Sequence, residues 1–161
     1  MIEIREYNET YANALSKIIL SNLYTITVID HGKMVVDRIA RHFTEEKIKQ
    51  NFPNRAKCYV ALKDGKVIGT ASLDNFRGNN VIDRYMVCTV FVDMDYHKQG
   101  AGKKLMQMVE DYAKEIHAKE LIILSSIYAV EFYRKLGYDY LDGVKQLNEE
   151  KEYTLIKYLC E

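Results

Sequence analysis

The chain has 161 residues, 48% of them apolar and one a proline (Pro53), which is the composition of a single globular domain able to bury a core. Its 23 basic residues balance 23 acidic ones, so there is no basic excess of the kind that nucleic acid or an anionic membrane attracts. Residues 31–57 do lean basic, with seven Lys or Arg against three Asp or Glu, and read as a solvated helical face.

Residues 2–7 alternate and predict a short strand. Asn8 can cap the helix that follows, in which Tyr11, Leu15, Ile18, Ile19 and Leu23 recur at helical spacing and form one apolar face. A second helical region is predicted over about 33–52. There Val35, Ile39 and Phe43 repeat every four residues, Thr44 offers a fresh N-cap, and Glu45 and Glu46 suit a positive helix start. Asn51-Phe52-Pro53-Asn54 ends it. Two strand-like runs, 58–62 and 67–71, flank Asp64-Gly65, a hairpin turn in which glycine accepts positive φ. A loop over 75–80 leads into a long strand over 81–92, rich in β-branched and aromatic residues.

From Gly100 onward the pattern is helical again, with Gly102, Leu105, Met106, Val109, Tyr112, Ala113 and Ile116 on one face. Residues 121–124 are an apolar run of strand length, as expected for a strand buried on both faces. A short helix with Ala129, Phe132, Tyr133 and Leu136 on one side stops at Gly137 after Arg134 and Lys135. Two last strands are expected near 138–142 and 152–159. The order β-α-α-β-β-β-α-β-α-β-β predicts an α/β chain with a mixed sheet and helices on both faces, in one domain over 1–161.

The three cysteines, Cys58, Cys88 and Cys160, are isolated, with no CxxC pair and no metal-like spacing. They fit a reducing compartment, so a cytoplasmic location is expected. The start of the chain carries charge at once, and the longest uncharged apolar run, 121–130, is too short to cross a bilayer, so a soluble protein is expected.

The segment 87–116 carries the chemistry. A strand ends near Val92, a short polar turn follows, and two glycines open a helix. The first N–H groups of a helix have no internal partner, and the helix dipole adds partial positive charge there. Glycines leave room for an anion to approach, so a diphosphate fits such a turn, with Lys98, Lys103 and Lys104 adding charge beside it. Two glycines before a helix can also serve only to tighten the turn. A dinucleotide-binding fingerprint needs Gly or Ala three residues after Gly102, where Leu105 stands. A phosphate loop of the Walker type needs a glycine at His97 and Ser or Thr at Lys104. Both fail.

Residues 92–106, VDMDYHKQGAGKKLM, resemble the acetyl-CoA-binding motif of the GNAT superfamily of N-acetyltransferases, which spans His97, Lys98, Gln99, Gly100, Ala101 and Gly102 here. Residues 129–138, AVEFYRKLGY, resemble the superfamily's short C-terminal helix. The resemblance implies a GNAT-like acyl-CoA N-acyltransferase fold, with a central, mostly antiparallel mixed sheet. It also implies acetyl-CoA as co-substrate and a primary amine on a small molecule or protein as acceptor. No nucleic acid or membrane partner is implied, and homodimerisation is carried over by analogy alone. The family motif has Gln or Arg where His97 stands, and many members have Asn where Ser126 stands. Backbone contacts should survive the first change, and the Ser126 hydroxyl can substitute in the second.

By the same resemblance, the backbone at Phe91 and Val92 pairs with the pantetheine arm. The Val92 N–H donates to the thioester oxygen as charge develops. Tyr133 is the general acid for the departing thiolate. Asp83, Asp93, Asp95 and His97 are candidates for the base, and the catalytic assignment is Tyr133 with Asp93. Some enzymes of this kind bind the neutral amine and rely on positioning, with no dedicated base. The acceptor should enter beside residues 24–52 and the 75–80 loop. The alternatives are a non-catalytic acyl-CoA-binding regulatory domain of the same fold, and an unrelated α/β nucleotide-binding module.

Overall fold

The fold is described from a computed structural model, over residues 1–76 and 81–159. The predicted loop over 75–80 falls largely outside the described residues, and so does Cys160.

The N-terminal strand β1 (Ile2–Glu6) leads into a helical run. Asn8 caps its first turn, its side chain accepting from the Thr10 N–H at 2.9 Å. Helix α1 (Ala12–Asn22) continues through a π turn at Leu23–Thr27 into a short helix α2 (Val28–His31), and Gly32, at φ 80°, ends the run. Glu9–His31 is long and apolar enough, by length and composition, to cross a bilayer. This differs from the expectation that no stretch is long enough, which rested on the uncharged run 121–130. In this fold Leu15, Ile18, Ile19 and Leu23 of the run are buried in the core.

The predicted second helix is two: α3 (Lys33–Ala40) and α4 (Glu45–Asn51). Thr44 caps α4 by accepting from the Lys47 N–H at 3.2 Å, with Glu45 and Glu46 in the first turn. Strands β2 (Lys57–Lys63) and β3 (Lys66–Asn75) form the hairpin predicted at Asp64-Gly65, where Gly65 sits at φ 79°. The strand predicted over 81–92 is shorter: β4 runs Arg84–Val92. Helix α5 (Ala101–Glu115), strand β5 (Glu120–Ser125), helix α6 (Val130–Lys135), a two-residue β6 (Asp139–Tyr140) and β7 (Tyr153–Tyr158) complete the chain.

The seven strands lie in the order β1-β2-β3-β4-β5-β7-β6, and every neighbouring pair is antiparallel except β4–β5. This is the mixed, mostly antiparallel sheet expected. Its two faces have separate cores. On one, Leu105, Met106 and Val109 of α5 and Tyr133 of α6 pack on Tyr59, Ala61, Ile68 and Leu73. On the other, Leu15, Ile19, Val36 and Ile48 pack on Cys58, Val60 and Leu62. Because β2 is covered on both faces, residues 58–62 are buried without a break instead of alternating.

Candidate active site

The parallel pairing of β4 with β5 covers only Arg84–Val87 against Glu120–Ile123. Beyond Val87 the two strands part. The cause lies on the other edge of β4. Between the pairs Ser72↔Cys88 and Thr70↔Phe91, β4 spends one more residue than β3, which is a β-bulge, and a bulge bends its strand. Thr89 takes the strain at φ 53°, a conformation rare for a β-branched residue. One Arg55 guanidinium nitrogen donates to Thr89 Oγ1 at 2.7 Å and to Ser72 Oγ at 3.0 Å, pinning the bulge to its neighbour strand. Periodicity could not reveal the extra residue, because residues 85–92 are uncharged and largely apolar or aromatic on both sides.

After the bulge, β4 exposes one edge. The Asp93 N–H donates to Ile68 O at 2.7 Å, toward β3. Alternation therefore turns the Val92 N–H and C=O the other way, into the gap left by β5. The Val92 carbonyl is taken up by two side chains, Asn22 Nδ2 at 3.1 Å and His97 Nε2 at 2.8 Å.

The far wall of the gap is the start of α5. Lys98 (φ 63°) and Gly100 (φ 93°) both sit in the left-handed region, so the chain turns sharply into the helix. Gly100 carries no side-chain cap, and the first helical bond is from the Lys104 N–H to Gly100 O at 3.0 Å. The N–H groups of Ala101, Gly102 and Lys103 come before any intrahelical partner. A Cβ on Gly100 would meet open space, whereas one on Gly102 would lie 3.0 Å from Phe132 Cζ. The two glycines thus differ: Gly100 makes the turn, and Gly102 lets α6 pack against α5.

A cavity of 520 Å³ joins these parts. It runs from Gly100, Ala101, Gly102 and Lys103, with Lys98 and His97 beside them, along Val90, Phe91 and Val92 to Ser126 and Tyr133. Tyr133 is buried at 6% exposure, with its ring edge-on to Phe132 (5.2 Å) and Tyr138 (6.1 Å). Burial, with a smaller contribution from the Cys88 thiol, pushes its phenol above the ordinary tyrosine range, so the group stays protonated. Among the described residues its hydroxyl has no protein partner. Ser126 Oγ accepts from the Ala129 N–H at 3.2 Å and so caps the turn into α6, while the residue still lines the cavity.

Other site residues read from the sequence fall elsewhere. Asp93 Oδ1 accepts from the Asp95 N–H at 3.0 Å; it caps the turn after β4 and is not among the residues lining the cavity. Lys104 reaches back to Ile2 O at 3.3 Å, because a side chain at this position points toward β1 and not past the helix start. The Gln99 side chain is held by Lys63 Nζ at 2.8 Å, outside the cavity. Of the other base candidates, Asp95 is exposed and Asp83 lies beside Lys119 (3.9 Å). Neither lines the cavity, and among its described lining residues there is no carboxylate.

Among the lining residues, Asn22 of α1 and the aromatic Tyr96, Tyr128 and Phe132 escaped the sequence reading, whereas Ile26 and Thr27 of the π turn fall within the 24–52 stretch expected to face the acceptor. Asn22 did leave a signal. It shares the apolar face of Leu15, Ile18 and Ile19 and is 94% buried, a costly place for an amide with nothing to bond. Its side chain bonds Ile18 O at 2.9 Å, one turn back, just before the helix widens into the π turn.

The family model for the acetyltransferase (GNAT) domain matches residues 27–157. The chain is 26% identical over 112 residues to the probable N-acetyltransferase 14 of Danio rerio; the match takes in 66% of this chain but only 38% of that protein's length. Among solved structures, the PaiA N-acetyltransferase of Thermoplasma acidophilum in complex with coenzyme A superposes with a TM-score of 0.83 at 15% identity, covering 99% of both chains. YncA, a putative acetyltransferase of Salmonella typhimurium with its cofactor acetyl-CoA, gives 0.71 at 17% identity, covering 100% of this chain and 95% of that one. The structural likenesses carry the fold, and the family model covers most of the chain from the π turn to the last strand: this protein belongs to the GNAT acetyltransferase family.

Proposed function

We propose that this chain transfers an acetyl group from acetyl-CoA to a primary amine on a small molecule or a protein. One observation carries the reading: a single cavity connects uncapped helix-start amides, an open strand edge and a buried, protonated tyrosine.

Acetyl-CoA would supply an activated thioester, and the residues present fit it. The amides of Ala101, Gly102 and Lys103, with Lys98 and Lys103 side chains nearby, offer positive potential to a diphosphate. The open edge of β4 at Val90 and Val92 offers main-chain pairing to an amide-bearing arm. The Val92 N–H, aimed into the gap, supports the reading that it stabilises developing negative charge on the thioester oxygen, worth about 3 kcal/mol for such a donor. Tyr133 holds a proton at Oη, and its hydroxyl is unspent on the protein, as a donor to a departing thiolate requires.

The cavity lining offers an ammonium no carboxylate among the described residues, and it carries Lys98 and Lys103. An acceptor that enters as the neutral amine fits this lining, its proton leaving to solvent before attack. The side of the cavity formed by Ile26 and Thr27 would receive it. The unpaired thiols of Cys58 and Cys88 fit a reducing cytoplasm.

The same lack of a carboxylate is what favours the second reading, a non-catalytic acyl-CoA-binding domain. Purified protein mixed with acetyl-CoA and a panel of amines separates the two. Thiol release that depends on the added amine, and rises with pH through the amine's own titration, supports the enzyme. Tight acetyl-CoA binding without release across the panel rejects it in favour of the second reading.

A further inference from the structure

One carbonyl oxygen of a cavity-lining residue is held by two side chains from two different segments. Val92 O accepts from Asn22 Nδ2 on α1 at 3.1 Å and from His97 Nε2 in the turn before α5 at 2.8 Å. The same peptide unit is tied on its other side by the Asp93 N–H to Ile68 O at 2.7 Å. Three hydrogen bonds from three segments therefore converge on one peptide plane at the end of β4. A carbonyl has two lone pairs, and here both are used.

Neither side chain is a bystander. Asn22 is nine-tenths buried and spends both amide protons, on Ile18 O (2.9 Å) and on Val92 O, which fixes the sense of its amide. A carbonyl partner makes His97 Nε2 the protonated nitrogen, and both the neutral and the charged ring can donate there. The residue that departs from the family motif therefore turns inward to the strand. In doing so it closes a five-residue link between Val92 and the turn that leads to Gly100.

Resting on the acetyl-transfer reading above, we infer that Asn22 and His97 are positioning residues for the thioester. By holding Val92 O they keep the adjoining Val92 N–H aimed into the gap, and they set its separation from the helix-start amides at Gly102 and Lys103. They touch neither reacting atoms nor diphosphate themselves. The signature is a split between chemistry and cofactor affinity.

His97→Phe and Asn22→Leu keep volume and remove the donor. Each should lower kcat about 30-fold while coenzyme A, which has no thioester oxygen, binds within about threefold of the wild type by calorimetry. His97→Gln, which restores an N–H donor, should recover most of kcat. The double variant should lose little more than either single one, because both act through one carbonyl. Equal losses of coenzyme A affinity and kcat would overturn the inference, as would a lowered Tm with kcat intact. If the wild type turns over no amine, the catalytic reading fails first. Amide hydrogen exchange then decides the clamp: faster exchange at Val92 and Asp93 in both single variants supports it, and unchanged exchange refutes it.

Discussion

The ring of Phe132 occupies the space that a side chain at Gly102 would need. A Cβ there would lie 3.0 Å from Phe132 Cζ and 3.8 Å from Val92 Cγ2. Phe132 is 36% exposed and can give way, so Gly102→Ala should fold. Displacing the ring moves the neighbour on which Tyr133 is packed, so acetyl transfer should fall about tenfold while Tm moves by less than about 3 °C. Gly100→Ala should do the reverse in stability: its Cβ meets nothing, but φ is 93°, and the strain costs about 1–2 kcal/mol. Thermal melts and steady-state kinetics of the two variants together check the distinction.

Tyr133→Phe removes a hydroxyl that has no protein partner among the described residues, so Tm should stay within about 2 °C of the wild type. On the proposed mechanism kcat should drop about 100-fold, with KM for acetyl-CoA little changed. An unaltered kcat would take this tyrosine out of the chemistry.

Alkaline pH should destabilise the fold. Burial raises the phenols of both Tyr133 and Tyr138 above their ordinary range, with Glu110 adding to the second. Below pH ~10 both are neutral whether the chain is folded or not. Above it the unfolded chain loses protons that the folded chain keeps, so stability declines as pH rises. Urea denaturation at pH 8, 10 and 11 should show the decline, and Tyr133→Phe should make it shallower.

A charged pair lies beside Tyr138, its carboxylate buried and its ammonium partly exposed. Glu110 accepts from Lys157 Nζ at 2.8 Å and from the Tyr138 hydroxyl at 2.9 Å, and Lys157 also donates to Leu136 O at 2.7 Å. Lys157→Met would leave a carboxylate at 8% side-chain exposure without its cation. Lys157 is itself partly exposed, which moderates the loss to about 2 kcal/mol, or a Tm lower by roughly 4–8 °C. Calorimetry reads this directly, and a change within error would show that solvent replaces the ion pair.

The bulge at Thr89 gives a fifth test. Arg55→Met removes the bonds to Thr89 and Ser72 while the strained backbone remains, and should cost about 1–2 kcal/mol and lower kcat. Thr89→Gly removes the strain along with the bond, so its stability should change less. If the two variants are equally destabilised, the strain at Thr89 is not what Arg55 opposes.

The sequence by itself determined the elements and the chemical motif, because both are written in local signals. Asn8 and Thr44 cap where a side-chain oxygen can reach an amide two or three residues on, Asp64-Gly65 turns, and Gly100 opens a helix whose first amides have no partner. The two-residue β6, the split of 33–52 into α3 and α4, and the π turn were less legible, since burial against the sheet overrides weak helical and strand preferences. Only the tertiary structure decided which residues share the cavity. Asn22 lies 70 residues from Val92 and meets it because α1 crosses the end of β4. Asp93 and Lys104, adjacent to the motif in sequence, are turned to a loop cap and to β1. The bulge that parts β4 from β5 depends on pairing with β3 and on Arg55. Register between distant strands is set by both partners at once, so no local stretch of sequence encodes it.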